Sequence, residues 1–174
     1  SELISQRCSA LTLMWCQNIL QGVVKRFNVV RYQGRFLIRK DSEFYKKEAT
    51  KQDFWIVSVT IPIKSKNKNK VYSTCIVFDN KGDIVSSYNK VHLFDVNFID
   101  TNEKYRESDI YIHGDSITFV DTPFCRIGLS ICYDLRFPEL YRKLSSEKVD
   151  LICLPAAFTS VTGKAHWEHL IKSR

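Results

Sequence analysis

The sequence predicts an α/β fold in which helices cover a sheet that contains parallel strands, and two observations support this. Residues 127–131 form a short apolar run whose length and β-branched ends are typical of a buried strand. A helix is predicted after it, from Pro138 to about residue 148, and a second apolar run follows at 151–154. Proline suits the first turn of a helix, and the acidic Glu139 favours its positive end. Strand, helix and strand in this order predict a parallel crossover, and parallel sheets are normally covered by helices.

Length and composition are those of one globular domain. The 174 residues are 44% hydrophobic and 13% aromatic, which is enough to form a core. The chain has no run of about eighteen apolar residues, so no transmembrane helix is predicted. Residues 1–27 lack the basic start and the cleavage pattern of a signal peptide. The chain begins with Ser1 instead of methionine, which suggests a fragment or a processed product.

The six cysteines form no CxxC pair and no dense framework. This spacing favours a reducing compartment, and we expect the cytoplasm, with the mitochondrion as the alternative.

The positive charge is concentrated in the first part of the chain. The net charge is +7, and residues 1–52 carry ten Lys and Arg against four Asp and Glu. A basic patch can bind nucleic acid, but the chain has no zinc-finger or RNP-type motif. We therefore interpret the basic segment as a solvated face, and expect neither nucleic acid nor a membrane as a partner.

The first half of the chain predicts two helices. Apolar residues recur at helix-like spacing in 9–27, and 28–38 has the composition of a strand. A second helix is predicted to end near Gln52, with Asp41 and Ser42 as its cap. Its inward residues are Phe44, Tyr45 and Ala49.

The strands that follow are predicted from β-branched and aromatic runs. Residues 54–63 form one strong strand, and 64–70 form a polar surface loop. Two hairpins are predicted, one from 71–79 with 84–88 and one from 117–121 with 126–131.

Cys132 lies between the predicted strand and the predicted helix, on a sharp turn. Backbone N–H groups and the helix dipole can stabilise a thiolate there, although a free cysteine is more commonly a small buried hydrophobe. The loop at 155–164 would lie at the same sheet edge, where α/β proteins bind ligands. Lys90 follows a strand directly; it is either a surface residue or, if buried beside a thiolate, a fixed positive charge for an oxyanion.

Four blocks of sequence are similar to the nitrilase, or carbon–nitrogen hydrolase, superfamily. They are YNKVHLFD at 88–95, YRESD at 105–109, RIGLSICYDLRFPELYR at 126–142, and LPAAFT at 154–159 continuing through TGKAHWE at 162–168. The resemblance extends from about residue 42 to the end of the chain. It implies a four-layer α-β-β-α sandwich, incomplete here because the family continues beyond Arg174. We therefore divide the chain into a divergent basic segment, 1–40, and a partial hydrolase domain, 41–174.

The resemblance also implies a catalytic set of glutamate, lysine and cysteine. Cys132 matches the nucleophile, which forms a thioester, and Lys90 matches the lysine that stabilises the oxyanion together with the backbone N–H of Tyr133. Glu107 matches the additional glutamate that positions the lysine and the substrate. The substrate-binding residues expected are Tyr133, Phe158, Thr159 and Thr162.

One residue of the family set has no match. The family's general base is a glutamate in a Pro-Glu context, but residues 1–40 contain no proline and Glu2 is their only glutamate. General acid–base catalysis is worth about 10²–10⁴ in rate, so its loss would be costly.

The family implies an amidase that cleaves a small linear substrate with release of an amine or ammonia. The amino-acid sequence of the blocks is most similar to the branch that hydrolyses deaminated glutathione. The alternatives are an ω-amidase acting on α-ketoglutaramate-type substrates and an inactive fragment or pseudoenzyme. We expect no cofactor and no metal, because His166 and His169 have no carboxylate or cysteine partner at a suitable spacing. We expect a homo-oligomer, either a dimer or a tetramer.

Overall fold

The computed structural model describes residues 8–15, 38–98 and 103–174, which form two main β-sheets with helices outside them. The strands are β1 (Cys8–Trp15), β2 (Ile56–Val57), β3 (Ile61–Lys64), β4 (Val71–Phe78), β5 (Ile84–Asn89), β6 (Asp95–Phe98), β7 (Glu103–Arg106), β8 (Tyr111–Ile112), β9 (Thr118–Asp121), β10 (Arg126–Leu129) and β11 (Leu151–Phe158). The helices are α1 (Ile38–Gln52), α2 (Pro138–Ser146) and α3 (Ser160–Lys172). Two short 3₁₀ helices cover Glu107–Asp109 and Cys132–Arg136.

The first sheet has the order β1-β11-β10-β9 and contains the predicted crossover. Strands β10 and β11 are parallel and are connected through α2, while β9 and β10 form the predicted antiparallel pair. Pro138 opens α2, as its fixed backbone angle favours. Gly128 of β10 lets α2 approach closely, because a Cβ there would lie 3.1 Å from Leu144.

The second sheet is built around β4. Strands β5 and β8 pair with one edge of β4. Strands β2 and β3 pair with its other edge, one after the other. Ile56 is opposite Phe78 but Ile61 is opposite Thr74, so one extra residue forms a bulge between β2 and β3. Ser58 holds this bulge, since its Oγ accepts a 2.9 Å hydrogen bond from a backbone N–H of β4. The prediction of one strand over 54–63 is therefore wrong.

The two sheets and two helices form four layers. Ile76 and Phe78 of β4 pack with Tyr45 of α1 on the outer face of the second sheet. The alternate residues Cys75 and Val77 point the other way, into a core shared with β10, β11 and α2. The order of layers is α1, second sheet, first sheet, α2, which confirms the predicted α-β-β-α arrangement.

The N-terminal predictions need correction. Residues 8–15 form β1, antiparallel to β11 along its whole length, instead of the start of a helix at 9–27. Pairing with a distant strand overrides the local apolar spacing. The rest of that predicted helix, and residues 28–37 of the predicted strand, lie outside the described residues. Ile38 begins α1, so this helix starts before its predicted cap at Asp41.

The segment after the crossover also differs from its prediction. Strand β11 continues to Phe158 instead of ending at residue 154, because β1 pairs with all of it. The predicted loop at 155–164 is therefore the end of a strand followed by the first turn of α3. No helix in the described ranges is long and apolar enough to cross a lipid bilayer.

Candidate active site

Cys132 lies on a strained turn at the carboxyl end of β10. Ile131 is extended, with φ −136° and ψ 117°, whereas Cys132 has φ +45° and opens a 3₁₀ helix. A positive φ is uncommon for a residue with a side chain, and such strain clusters at functional sites. The thiol Sγ lies 3.5 Å from the carbonyl oxygen of Ala157 on β11. The thiol therefore lies beside the neighbouring parallel strand, as the crossover predicted.

Lys90 is buried and paired with Glu107. It directly follows β5, its side chain is 4% exposed, and its Nζ lies 2.5 Å from Glu107 Oε2. The same carboxylate oxygen accepts a 2.6 Å hydrogen bond from the backbone N–H of Phe94. The antiparallel ribbon of β6 and β7 places Phe94 and Glu107 side by side at one end. Lys90 is therefore a buried ammonium with a fixed partner, which excludes the alternative of a surface lysine.

The backbone of Lys90 is held by a close approach of Gly114. The Gly114 N–H donates a 2.7 Å hydrogen bond to the carbonyl of Lys90. A Cβ at this position would lie 2.2 Å from the carbonyl oxygen of Asn89, so only glycine fits.

These side chains surround a cavity of about 320 Å³. The structure brings all the sequence-predicted site residues to its wall, namely Lys90, Glu107, Cys132, Tyr133, Phe158, Thr159 and Thr162. The particular roles assigned to them remain predictions. Five further residues line the cavity, namely Phe94, Tyr105, Arg106, Arg136 and Ala157. The prediction for 155–164 places Ala157 at this sheet edge, and sequence reasoning missed the other four.

Arg136 is the most informative of the missed residues. Its guanidinium lies 5.9 Å from the ring centre of Tyr133 and 5.6 Å from that of Phe158. Its Nη2 is 3.2 Å from Nδ1 of His166 on α3. A guanidinium that lies close to aromatic rings is a planar donor for an anionic group. The sequence signal that could have identified Arg136 is its place four residues after Cys132, at the end of the same 3₁₀ helix.

The two predicted threonines contact each other. Thr159 caps α3, since its Oγ1 accepts a 3.2 Å hydrogen bond from the Thr162 N–H. The two hydroxyl oxygens are 2.7 Å apart. Both threonines therefore have a structural role at the start of α3.

Burial controls the charge state of the cavity thiol. It raises the pKa of Cys132, and the nearby ammonium of Lys90 offsets this effect only in part. The expectation that the turn and its helix favour a thiolate stays a prediction, and burial acts against it. Because burial favours the neutral thiol, a nucleophilic reaction requires a group that accepts its proton.

Comparison with known proteins identifies the family. Residues 40–174 match the model of the carbon–nitrogen hydrolase family. A deaminated glutathione amidase of Yersinia enterocolitica is 42% identical, with a match covering 72% of this chain and 44% of that protein. A human omega-amidase is 40% identical, covering 69% and 42%. The structure of the Caenorhabditis elegans NitFhit protein aligns with a TM-score of 0.67 and 34% identity, covering 78% of this chain and 33% of that one.

This chain belongs to the carbon–nitrogen hydrolase family, which confirms the resemblance found in the sequence. It spans about half the length of the curated relatives that it matches.

Proposed function

We propose that this chain supplies the nucleophile, the cation and a carboxylate of an amidase that cleaves a small linear substrate. The observation that supports the proposal is the grouping of Cys132, Lys90 and Glu107 around one cavity. A thiol can attack an amide carbonyl, and a buried ammonium held by a carboxylate can stabilise the oxyanion that forms.

The reaction proceeds in two halves. The sulfur of Cys132 attacks the amide carbonyl carbon, and the developing oxyanion is stabilised by Lys90 and the backbone N–H of Tyr133. The carbon–nitrogen bond then breaks, a proton passes to the departing nitrogen, and a thioester remains on Cys132. Water attacks the thioester, releases the carboxylic acid and returns the proton to the thiol.

Proton transfer is the part of this mechanism that the cavity supports least. Glu107 is the carboxylate in the described cavity lining, and its Oε2 is bonded to Lys90. Glu107 therefore acts mainly by holding the lysine. The general base that the family resemblance implies is not among the described lining residues, so an inactive chain remains the competing candidate.

The cavity favours a substrate with a carboxylate. Arg106 and Arg136 both line it, and the Arg136 guanidinium lies within about 6 Å of the centres of two aromatic rings. Arginine binds carboxylates with two parallel hydrogen bonds. The relatives include a deaminated glutathione amidase and an omega-amidase. We therefore propose deaminated glutathione as the substrate, with α-ketoglutaramate as the alternative.

The experiment is hydrolysis of both compounds, followed by mass spectrometry of the acid and of the amine or ammonia released. The test variant is Cys132→Ala. The matched control is Cys125→Ala, because Cys125 is also a partly buried free thiol but does not line the cavity. Turnover that is lost in Cys132→Ala and kept in Cys125→Ala supports the proposal. Turnover that survives in Cys132→Ala refutes the thioester, and no turnover by the unmodified chain favours the inactive alternative.

A further inference from the structure

A buried carboxylate connects the two halves of the candidate site. Asp134, two residues after the nucleophile, is completely buried and accepts four hydrogen bonds. Its Oδ2 accepts from the Tyr88 hydroxyl and from the Ile131 N–H, both at 2.8 Å. Its Oδ1 accepts from the backbone N–H of His92 at 3.0 Å and from His92 Nδ1 at 2.7 Å. A carboxylate only accepts here, so Nδ1 of His92 carries the proton.

These donors come from the two sides of the site. Tyr88 and His92 lie two residues before and two residues after Lys90, at the end of β5 in the second sheet. Ile131 immediately precedes Cys132, at the end of β10 in the first sheet. Asp134 therefore bonds the segment that carries the lysine to the turn that carries the cysteine.

The other contacts of the Lys90 backbone do not perform this function. The Lys90 N–H donates to Ser73 of β4, and its carbonyl accepts from Gly114. Both bonds fix the lysine within its own side of the molecule. Apolar packing between the sheets is non-directional, whereas hydrogen bonds to a buried charge fix distance and orientation.

We propose that Asp134 is a positioning residue that sets the place of the Lys90 ammonium relative to the Cys132 thiol, an inference that rests on the proposed function for its catalytic meaning. Tyr88 and His92 are the partners through which it acts. Tyr88 also accepts a 3.3 Å hydrogen bond from the Val91 N–H, so its hydroxyl holds the chain on both sides of the lysine.

An amide at position 134 cannot replace the carboxylate. The N–H groups of Ile131 and His92 point at different oxygens of Asp134. In Asp134→Asn, whichever way the amide is turned, one of these N–H groups faces an NH₂ group instead of an acceptor. An unsatisfied buried donor is costly, so the turn and the lysine segment would separate.

The test is the pH dependence of alkylation of Cys132 by iodoacetamide in the whole chain, measured on the Cys132 peptide by mass spectrometry. If Lys90 is displaced, its positive charge moves away from the Cys132 thiol. The pH at which alkylation is half-maximal, the alkylation midpoint, then rises. Loss of the Asp134 charge alone would lower the midpoint, because that charge itself disfavours the thiolate. Displacement of Lys90 and simple loss of the Asp134 charge therefore predict shifts of the midpoint in opposite directions for Asp134→Asn.

Tyr88→Phe tests the same link with the carboxylate intact. We expect its midpoint to rise by about one pH unit, which makes alkylation about tenfold slower at neutral pH. Tyr141→Phe is the matched control. It removes another buried phenol hydroxyl from the same core, bonded at 3.3 Å to Ser130 instead of to Asp134. Its midpoint should equal that of the unmodified chain.

A Lys90→Met background separates positioning from general loosening. There, Tyr88→Phe should cause no further change in the midpoint. An equal shift with and without Lys90, a fall in Asp134→Asn, or an equal rise in Tyr141→Phe would each overturn the proposal. If Asp134→Asn does not fold, Tyr88→Phe and its control still decide it. Alkylation needs no turnover, so failure to hydrolyse any amide counts against the proposed function and leaves this test valid.

Discussion

The ion pair between Lys90 and Glu107 makes an asymmetric prediction about stability. The lysine side chain is 4% exposed, whereas that of the glutamate is 19% exposed and also accepts a hydrogen bond from the Phe94 N–H. Glu107→Gln leaves a buried ammonium with a neutral partner, which should lower the free energy of unfolding by about 3 kcal/mol. Lys90→Met removes the charge but leaves the carboxylate with one donor and access to water, so we expect a loss of about 1 kcal/mol.

The double variant provides the decisive comparison. Once the lysine is methionine, replacing the carboxylate should cost little more. The double variant should therefore be about 2 kcal/mol more stable than Glu107→Gln alone, because the effects of substituting two residues in contact do not add.

Urea unfolding at a constant slope measures these free energies. Glu139→Gln is the matched control, because its 3.5 Å pair with Arg142 is more than two-thirds exposed on both sides. Exposed pairs contribute little, so we expect this control to be nearly neutral. If the losses of the two single variants add in the double variant, the pair is not coupled and the reasoning is wrong.

Three further predictions concern pH, the cavity and packing. Burial raises the pKa of the Cys153 thiol to about 12, so the unfolded chain loses this proton at a lower pH than the folded chain does. The free energy of unfolding should therefore fall as the pH rises above about 9, by up to about 1.4 kcal/mol per pH unit. Urea midpoints at pH 8 and 10.5 measure this fall, and Cys153→Ala should reduce it; an unchanged slope would contradict the assignment. Arg136→Met should raise KM about tenfold for an amide that bears a carboxylate, and it should not raise KM for a neutral amide of the same length. An equal rise in KM for both amides would exclude a contact between Arg136 and the carboxylate. Gly128→Ala should destabilise by about 1–3 kcal/mol because its Cβ would lie 3.1 Å from Leu144, whereas Gly163→Ala, with its nearest neighbour at 3.6 Å, should be neutral or stabilising in thermal unfolding.

Features that depend on nearby residues could be predicted from the sequence. The turn at Cys132 follows from an apolar strand and from Pro138 shortly afterwards, and both signals lie within a few residues of the thiol. The two hairpins are also local, since each joins neighbouring runs across a short turn. The parallel crossover then required only the order strand, helix, strand, and the structure confirms it.

Features that depend on distant partners were predicted incorrectly or missed. Residues 8–15 have helix-like apolar spacing, yet they pair with β11, which lies more than a hundred residues further along the chain. The bulge at Ser58 depends on its bonds to β4 and has no local signal. Asp134 is an ordinary polar residue in the sequence, and only the fold surrounds it with four donors.

The sequence by itself determined the family, the α/β layers and which side chains meet at the cavity, because strand order and motif spacing are properties of the chain. Only the tertiary structure decided how those side chains behave there. It pairs Lys90 with Glu107 in a buried site, it raises the pKa of Cys132, and it places Arg136 close to two rings. Burial and hydrogen bonding sum over groups from several parts of the chain, so the charge state of a thiol is set only when all of those parts have come together.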